Sequence, residues 1–557
     1  MTPISRILRL PGRLALSSAA VATGLWLIGS QAVSSFTSDT SARPAVSSDD
    51  RTIAHVLNRL GYGPRPGDVE RVRRMGIEAY IDRQLHPERI PDADMSARLS
   101  SFETLNLSSR EIAEKYELPA LMERQRRRRE AGQAAGDQNT QPGAGQNDMP
   151  PPRGPEPEVI RNARLPLAEL TEQRLLRTVY SERQLQEVLV DFWFNHFNVY
   201  ARKGRTSIYV TEYERDAIRP HVLGSFRELL EATAKSPAML FYLDNWLSAD
   251  PGAGDRLMNG RRRFAFQNPN QSQNQNQKRA PRGLNENYGR ELLELHTLGV
   301  DGGYTQKDVV EVARAFTGWT IDPREQRFRF APALHDRGAK VVLGHTIKAG
   351  GGMEDGEQVL DILASHPATA RHIAAQLVDR FVSDAPPPAF VDRAAARFRD
   401  THGNLREVVR AIVTSPEFFA PEYRRAKVKT PLEFIASALR TTGANVDNTR
   451  PLLRALQQLG MPLYLCQPPT GYSDKADTWV SSGALVTRMN IALEMAGTRS
   501  RTASIPKNSD VAVLRTQLIR DALAGDVSDS TRGTIEKATT PEQTIALVLG
   551  SPEFQKR

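Results

Sequence analysis

Cysteine is almost absent from this chain of 557 residues, in which Cys466 is the single example. One thiol permits no internal disulfide and no cysteine-based zinc site, which excludes a disulfide scaffold and a zinc-finger protein. The sequence also lacks the nucleotide-binding, serine-hydrolase and zinc-protease signatures GxxxxGK[ST], GxGxxG, GxSxG and HExxH. The chain therefore carries no short motif that identifies a reaction.

Long apolar runs are scarce as well, apart from one near the start of the sequence. Residues 1–32 begin with a basic region, continue through the apolar stretch LALSSAAVATGLWLI and end at the small residues of SQA. This order is typical of a secretory signal peptide. We expect an exported protein, periplasmic or extracellular, in which this segment is either cleaved or retained as a membrane anchor over residues 14–33.

The excess of positive charge is modest for so long a chain, because 74 Lys and Arg against 65 Asp and Glu leave +9. Runs of arginine stand in two low-complexity stretches, 123–158 and 250–283, and neither has an apolar period that can pack. We predict that both are disordered insertions. Aromatic residues do not alternate with these arginines, so nucleic-acid binding is the weaker interpretation, and membrane contact is expected only through the N-terminal segment.

The rest of the sequence predicts helices that end at proline. Ser-Pro follows an apolar helical run in stretches such as VVRAIVTSPEFF (408–419). The residue before proline avoids the α region, whereas proline itself is accepted at the start of the next helix. Alternating apolar residues around 327–344 indicate a short β element. We predict a mainly α protein: a flexible tether at 33–50, then a single large multi-helical domain at 51–557 that carries the two insertions.

Eight stretches between residues 50 and 500 follow a known family pattern. They are AHVLNRLGYGPRPGDVE (54–70), DFWFNHFNVY (191–200), SPAMLFYLDN (236–245), NENYGRELLELHTLGVDGGYTQKDVVEVARAFTGW (285–319), HDRGAKVVLG (335–344), HPATARHIAAQLVDRFV (366–382), VKTPLEFIASALR (428–440) and PPTGYSDKADTW (468–479). On these stretches the chain resembles the bacterial domain-of-unknown-function 1800 family. The resemblance implies a largely helical, exported protein that acts with a co-exported protein partner, and it supplies no catalytic residues.

One predicted helix, 181–198, carries its acidic residues in a narrow stripe. Ser181 and Gln184 have the spacing of a capping box that opens the helix. Glu187 and Asp191 share one arc, while most of the remaining circumference is apolar. Such a helix is normally buried, so its acidic stripe should face an interior cavity or another polar element. His196 lies on the opposite side, and we interpret it as a hydrogen-bonded core histidine.

A second predicted helix begins after residue 285 or 287 and ends near Gly299. Glu291 and Glu294 lie in its polar stripe beside an apolar face, so at least Glu291 should be partly buried. We expect Glu187 and Asp191 to share one space with these two carboxylates.

Carboxylates and amides from two helices are ligands that suit a hard cation. They also suit a buried hydrogen-bond network whose charges are paired with arginines. Both interpretations stay open, and the candidate catalytic and metal-binding residues are Glu187, Asp191, Glu291 and Glu294. No cofactor is identified, although a divalent cation would fit these carboxylates. The leading functional hypothesis is an exported binding or assembly component, and the competing hypothesis is a carboxylate-based hydrolase.

Overall fold

The computed structural model describes residues 49–138, 156–253, 283–497, 503–504 and 510–557. All of them belong to one compact unit, Val46–Arg557. The proposed export segment and nearly all of the proposed tether lie outside the described residues.

Helices dominate the described residues, as predicted. The α-helices are Asp50–Arg59, Asp68–Met75, Ile77–Leu85, Ala93–Arg98, Ser109–Ile112, Leu118–Gln138, Glu158–Asn162, Leu165–Tyr180, Gln184–His196, Thr206–Glu212, Phe226–Ala234, Pro237–Tyr242, Glu286–Glu294, Gln306–Ala315, Met353–Ser365, Pro367–Phe381, Pro388–Asp400, Leu405–Val413, Pro416–Phe419, Pro431–Thr441, Arg450–Gln458, Ser482–Ala496, Val511–Leu523, Asp529–Glu536 and Pro541–Gly550. Ala113–Glu117 and Tyr213–Ile218 are π-helical, and the single 3₁₀ turns are Pro87–Arg89, Arg219–His221, Asn245–Leu247, Pro332–Leu334, Pro421–Tyr423 and Ala476–Thr478.

The β structure of the described residues consists of three small antiparallel pairs. They are Trp319–Ile321 with Phe328–Phe330, Lys340–Val342 with His345–Ile347, and Asn445–Val446 with Ala503–Ser504. The first two pairs confirm the β element that the alternation around 327–344 predicted. In the part of the chain that is described, no helix is both long and apolar enough to cross a bilayer.

The helix boundaries confirm the importance of proline. Ser236 caps Pro237–Tyr242 by accepting a hydrogen bond from the backbone N–H of Ala238, and Ser415 caps Pro416–Phe419 in the same way. Both prolines stand at the first helical position, where the missing N–H costs nothing. These corners fold the chain back on itself and bury one stripe of each helix.

The first low-complexity stretch contains more structure than its composition indicated. Helix Leu118–Gln138 continues into it, so the expectation of disorder is wrong for residues 123–138. Glu123 pairs with Arg126 at 2.7 Å and with Arg127 at 3.3 Å, and such pairs at i,i+3 and i,i+4 support an exposed helix. The remainder of this stretch, 139–155, and residues 254–282 of the second lie outside the described residues.

The helix Gln184–His196, here called the Asp191 helix, lies deep in the core. It packs against Ile77–Leu85, Leu165–Tyr180 and the π-helical turn Tyr213–Ile218. Trp193 is fully buried there, and burying a side chain of this kind contributes about 1.5–3 kcal/mol. The polar residues of this helix are therefore held in the interior, as its apolar circumference predicted.

Candidate functional site

The Asp191 helix begins later than its sequence indicated. Ser181 is not its N-cap, because Arg183 holds that position and makes no side-chain capping bond. Gln184 instead accepts a hydrogen bond from the N–H of Tyr62 at 3.0 Å and donates to the carbonyl of Ser181 at 2.9 Å. The capping-box prediction is wrong because the side-chain amide of Gln184, which the motif needs to bind the backbone N–H of Ser181, is already hydrogen-bonded to Tyr62 and to the Ser181 carbonyl.

Glu187 belongs to a buried ion-pair network. It is fully buried, and its Oε1 accepts a hydrogen bond from Nη1 of Arg219 at 2.7 Å. Arg219 also contacts the buried Glu214 at 3.0 Å, and Arg177 lies 3.8 Å from Glu187. A carboxylate that is paired in this way stabilises its neighbours, and Glu187 is not among the described residues that line the cavity beside the next turn of the helix.

Asp191, one helical turn further on, has different surroundings. It lines a cavity of about 280 Å³, here called the Asp191 cavity. No described residue donates a hydrogen bond to its carboxylate, and the nearest cationic nitrogen, Nη2 of Arg380, is 3.9 Å away. The residue is 5% exposed, and this burial raises the pKa of Asp191 above its usual range. Asp191 is therefore a buried carboxyl group that faces a cavity without a hydrogen-bond donor from the described residues.

The walls of the Asp191 cavity mix acids, amides, hydroxyls, imidazoles and apolar groups. The described lining residues are Asp191, Phe192, Asn195, His196, Glu294, Leu295, Val300, His372, Gln376, Asp379, Arg380, Thr430, Met461, Thr470, Tyr472, Ser473, Asp474 and Lys475. A concave, partly apolar space with several convergent polar groups is the usual form of a small-ligand site.

The second predicted acidic helix, Glu286–Glu294, contributes one of its two carboxylates to this cavity. It starts where the sequence indicated, since Asn285 caps it by accepting from the N–H of Tyr288 at 3.0 Å. Glu294 lines the cavity and accepts a hydrogen bond from the Tyr304 hydroxyl at 2.7 Å. Glu291 is half-buried outside the lining, and burial and then the Glu294 charge raise its pKa.

Of the four candidate carboxylates, the structure places two, Asp191 and Glu294, on one cavity. Glu187 and Glu291 lie elsewhere. No group of three or more His, Cys, Asp or Glu in the described part of the chain is arranged to hold a metal ion. The described lining residues offer hydrogen-bonding groups and charges to a ligand.

Arg380 is the central cation of the site. The acidic stripes of the two predicted helices gave no indication of it. This buried guanidinium donates to Oδ1 of Asp474 at 2.7 Å and lies 2.9 Å from Oε1 of Glu433. Burial opposes ionisation of Asp474, but Arg380 and then Lys427 outweigh it and lower the pKa of Asp474 to about 2. The cavity therefore contains two carboxyls whose pKa burial raises, Asp191 and Asp379, and one with a lowered pKa, Asp474.

A comparison with protein-family models supports the resemblance described above. The model described as "Protein of unknown function (DUF1800)" matches residues 55–556. The chain belongs to the DUF1800 family. No curated protein and no solved structure matches it.

In this DUF1800 protein, the cavity is built from stretches that carry the family resemblance. Asp191 comes from DFWFNHFNVY, Glu294 from the stretch 285–319, Arg380 from HPATARHIAAQLVDRFV and Asp474 from PPTGYSDKADTW. These stretches are far apart in sequence and meet at one cavity. The stretches that carry the family resemblance were therefore the sequence feature that could have pointed to Arg380 and Asp474.

Beside the carboxylates lies a group of three histidines. His196 Nδ1 lies 2.7 Å from Oε1 of Gln376 and its Nε2 lies 3.1 Å from the carbonyl of His296, and the neutral ring donates to one of these two acceptors. The prediction of a buried, hydrogen-bonded histidine is confirmed, but His196 lines the Asp191 cavity together with Asp191, although the helical wheel put it on the opposite side. Its ring lies 6.3 Å from that of His296 and 6.2 Å from that of His372. Burial lowers the pKa of His196 to about 4 and that of His296 to about 3.

These histidines should make the DUF1800 fold sensitive to acid. Unfolded histidine binds a proton below pH 6.5, whereas folded His196 stays neutral until about pH 4. Stability is therefore lost as the pH falls from 6.5 to 4, by roughly 3 kcal/mol for each of His196 and His296, and His296 continues to lose stability down to about pH 3. Urea unfolding at pH 7 and pH 4.5 measures the loss.

A matched pair of variants tests the cause of this pH dependence. The double variant His196→Gln with His296→Gln should reduce it, and His55 and His372, whose pKa values burial also lowers, keep part of it. His345→Gln, which changes an exposed histidine, should leave it unchanged. An equal pH dependence in the double variant and the parent would show that other groups are responsible.

Proposed function

We propose that this DUF1800 protein is an exported binding component that holds a small polyhydroxylated ligand in the Asp191 cavity and acts with a second exported protein. One observation carries the ligand-binding part of this proposal. Asp191 is a buried carboxyl that receives no hydrogen bond from the described residues, and it faces a cavity. Leaving such a group without a partner costs about 1–3 kcal/mol, which a ligand hydroxyl would offset.

The chemistry of the lining supports a sugar-like ligand. Asp191 and Glu294 accept hydrogen bonds, Asn195 offers an amide, and Phe192 and Tyr472 provide rings for the apolar face of a sugar. Alternating acceptors, donors and rings suit a molecule whose hydroxyls point outward around a partly apolar frame.

A binding screen tests this proposal directly. The full-length protein is heated with a panel of monosaccharides and disaccharides, and with alkyl amides of similar size as non-hydroxylated probes. A sugar present at 100 times its Kd should stabilise the fold by about 2.7 kcal/mol. Calorimetric titration then measures affinity and stoichiometry. Absence of saturable binding by any sugar, or equal binding of the amides, would contradict the ligand class.

The divergent pKa values of Asp191 and Asp474 favour a second candidate function, hydrolysis of the same kind of ligand. Two carboxyls whose surroundings push their pKa values apart are the usual division between a proton donor and an ionised partner. Asp191 would then protonate the leaving oxygen, and Asp474 would stay charged. Mass spectrometry of each bound sugar after incubation detects cleavage, and an intact ligand leaves binding as the function.

The export part of the proposal rests on residues 1–32. Replacing Val21 and Leu25 of the apolar stretch 14–28 with glutamates should keep the protein in the cytoplasm, because signal peptides are recognised through this apolar segment. Cell fractionation and N-terminal sequencing measure the result. An unmodified, soluble cytoplasmic parent protein would contradict export. Cross-linking in the exported fraction should recover a second exported protein.

A further inference from the structure

A second concave surface, distinct from the Asp191 cavity, is floored by leucines. This groove of about 720 Å³ shares no described lining residue with that cavity. Its leucines come from three separate parts of the chain: Leu167, Leu453, Leu456, Leu463 and Leu465. We call it the leucine groove. Leu456 and Leu463 are buried, whereas Leu167, Leu453 and Leu465 are half-buried and leave part of their apolar surface against water. Covering such surface is favourable by about 25 cal/mol per Å².

The charge around the leucine groove has a single sign. Arg124, Arg164 and Arg202 line it, and no Asp or Glu is among its described lining residues. Arg164 pairs with Glu156 at 2.8 Å, but Arg124 and Arg202 are exposed and have no acidic partner in the described chain. Two arginines beside an apolar floor are therefore available to an anion.

The helix Leu118–Gln138 carries ion-paired arginines and also Arg124, which has no acidic partner among the described residues. Arg126 and Arg127 are paired with Glu123, and neither is among the described lining residues of the groove. Arg124 lines the groove and shares a helix face with the exposed Leu121, three residues earlier, and with Arg127, three residues later. The helix therefore offers the groove one unpaired guanidinium, while Arg126 and Arg127 are held in ion pairs.

We propose that the leucine groove binds an anionic amphiphile, with one alkyl or acyl chain along the leucines and a carboxylate or phosphate monoester head at Arg124 and Arg202. A guanidinium binds both of these head groups through paired N–H donors. A nucleic acid would leave the apolar floor uncovered, and a neutral lipid would leave the arginines unpaired. Charge and shape together therefore select a molecule that has both parts.

Binding of dodecyl phosphate below its micelle concentration tests the proposal, measured by calorimetric titration of the full chain. Dodecyl maltoside and dodecyltrimethylammonium present the same chain with a neutral and a cationic head. We expect saturable binding of dodecyl phosphate with one site, and at least tenfold weaker binding of the other two. Equal affinity for all three would overturn the selection by charge, and no binding to the full chain would overturn the site.

Matched variants locate the site. The double change Arg124→Gln with Arg202→Gln should weaken dodecyl phosphate binding by at least tenfold, because it removes both free guanidinium groups. Arg110→Gln with Arg126→Gln removes the same charge from two ion-paired arginines that are not among the described lining residues of the groove, and should change affinity less than twofold. Equal losses in both variants, or binding only to vesicles of anionic phospholipid, would show a non-specific surface effect and overturn the groove as a site for the single amphiphile.

Discussion

Replacing Arg380 with glutamine should lower the free energy of unfolding by roughly 3–5 kcal/mol. Arg380 is buried and contacts Asp474 at 2.7 Å, Glu433 at 2.9 Å and Asp191 at 3.9 Å. Glutamine removes the central positive charge and leaves these carboxyls to repel one another in the interior. Urea denaturation at pH 7 measures the change.

The same helix, Pro367–Phe381, provides the control. Arg371 carries one ion pair, with Asp392, and its side chain is 56% exposed. Exposed pairs contribute about 0–1 kcal/mol, so Arg371→Gln should change stability little. Similar losses for Arg371→Gln and Arg380→Gln would show that burial of the Arg380 cluster does not govern its contribution.

At a pH above the raised pKa of Asp191, where its carboxylate is charged, changing Asp191 to asparagine should weaken binding of the cavity ligand by roughly ten- to a hundredfold, the usual contribution of a hydrogen bond to a charged group. The fold should survive, because Arg380 keeps its contacts with Glu433 and Asp474. Burial favours the protonated form of Asp191, so the parent loses stability as the pH rises through the raised pKa. The asparagine variant should not show this loss. Titration of the best sugar and urea unfolding at several pH values check both statements.

Glu187, four residues earlier on the same helix, supplies the contrast. Glu187→Gln leaves Arg219 with a single carboxylate, Glu214, and removes the acid beside Arg177. Stability should fall by roughly 3–5 kcal/mol, and ligand affinity of the folded protein should be retained. If Asp191→Asn lowers stability as much as Glu187→Gln and keeps full affinity, then Asp191 is structural and the proposed function is wrong.

Local sequence signals predicted the helical class and several element boundaries well. Ser236 and Asn285 cap their helices where the sequence placed a boundary, because a side-chain oxygen satisfies a backbone N–H only two or three residues away. The apolar circumference of 184–196 likewise predicted a buried helix, since a helix of that composition has no face suited to water. These properties depend on neighbours in the chain.

The composition of the candidate site could be seen only in the tertiary structure. Glu187 and Asp191 share one helical arc, so periodicity treats them alike, yet one faces Arg219 and the other faces a cavity. Arg380 and Asp474 lie 94 residues apart and meet only because the intervening helices fold back.

The sequence by itself determined the helical class, the helix starts marked by Ser-Pro and the family. The tertiary structure decided which carboxylates are paired and which face the cavity, because the pKa and role of a buried acid depend on the charges and space around it.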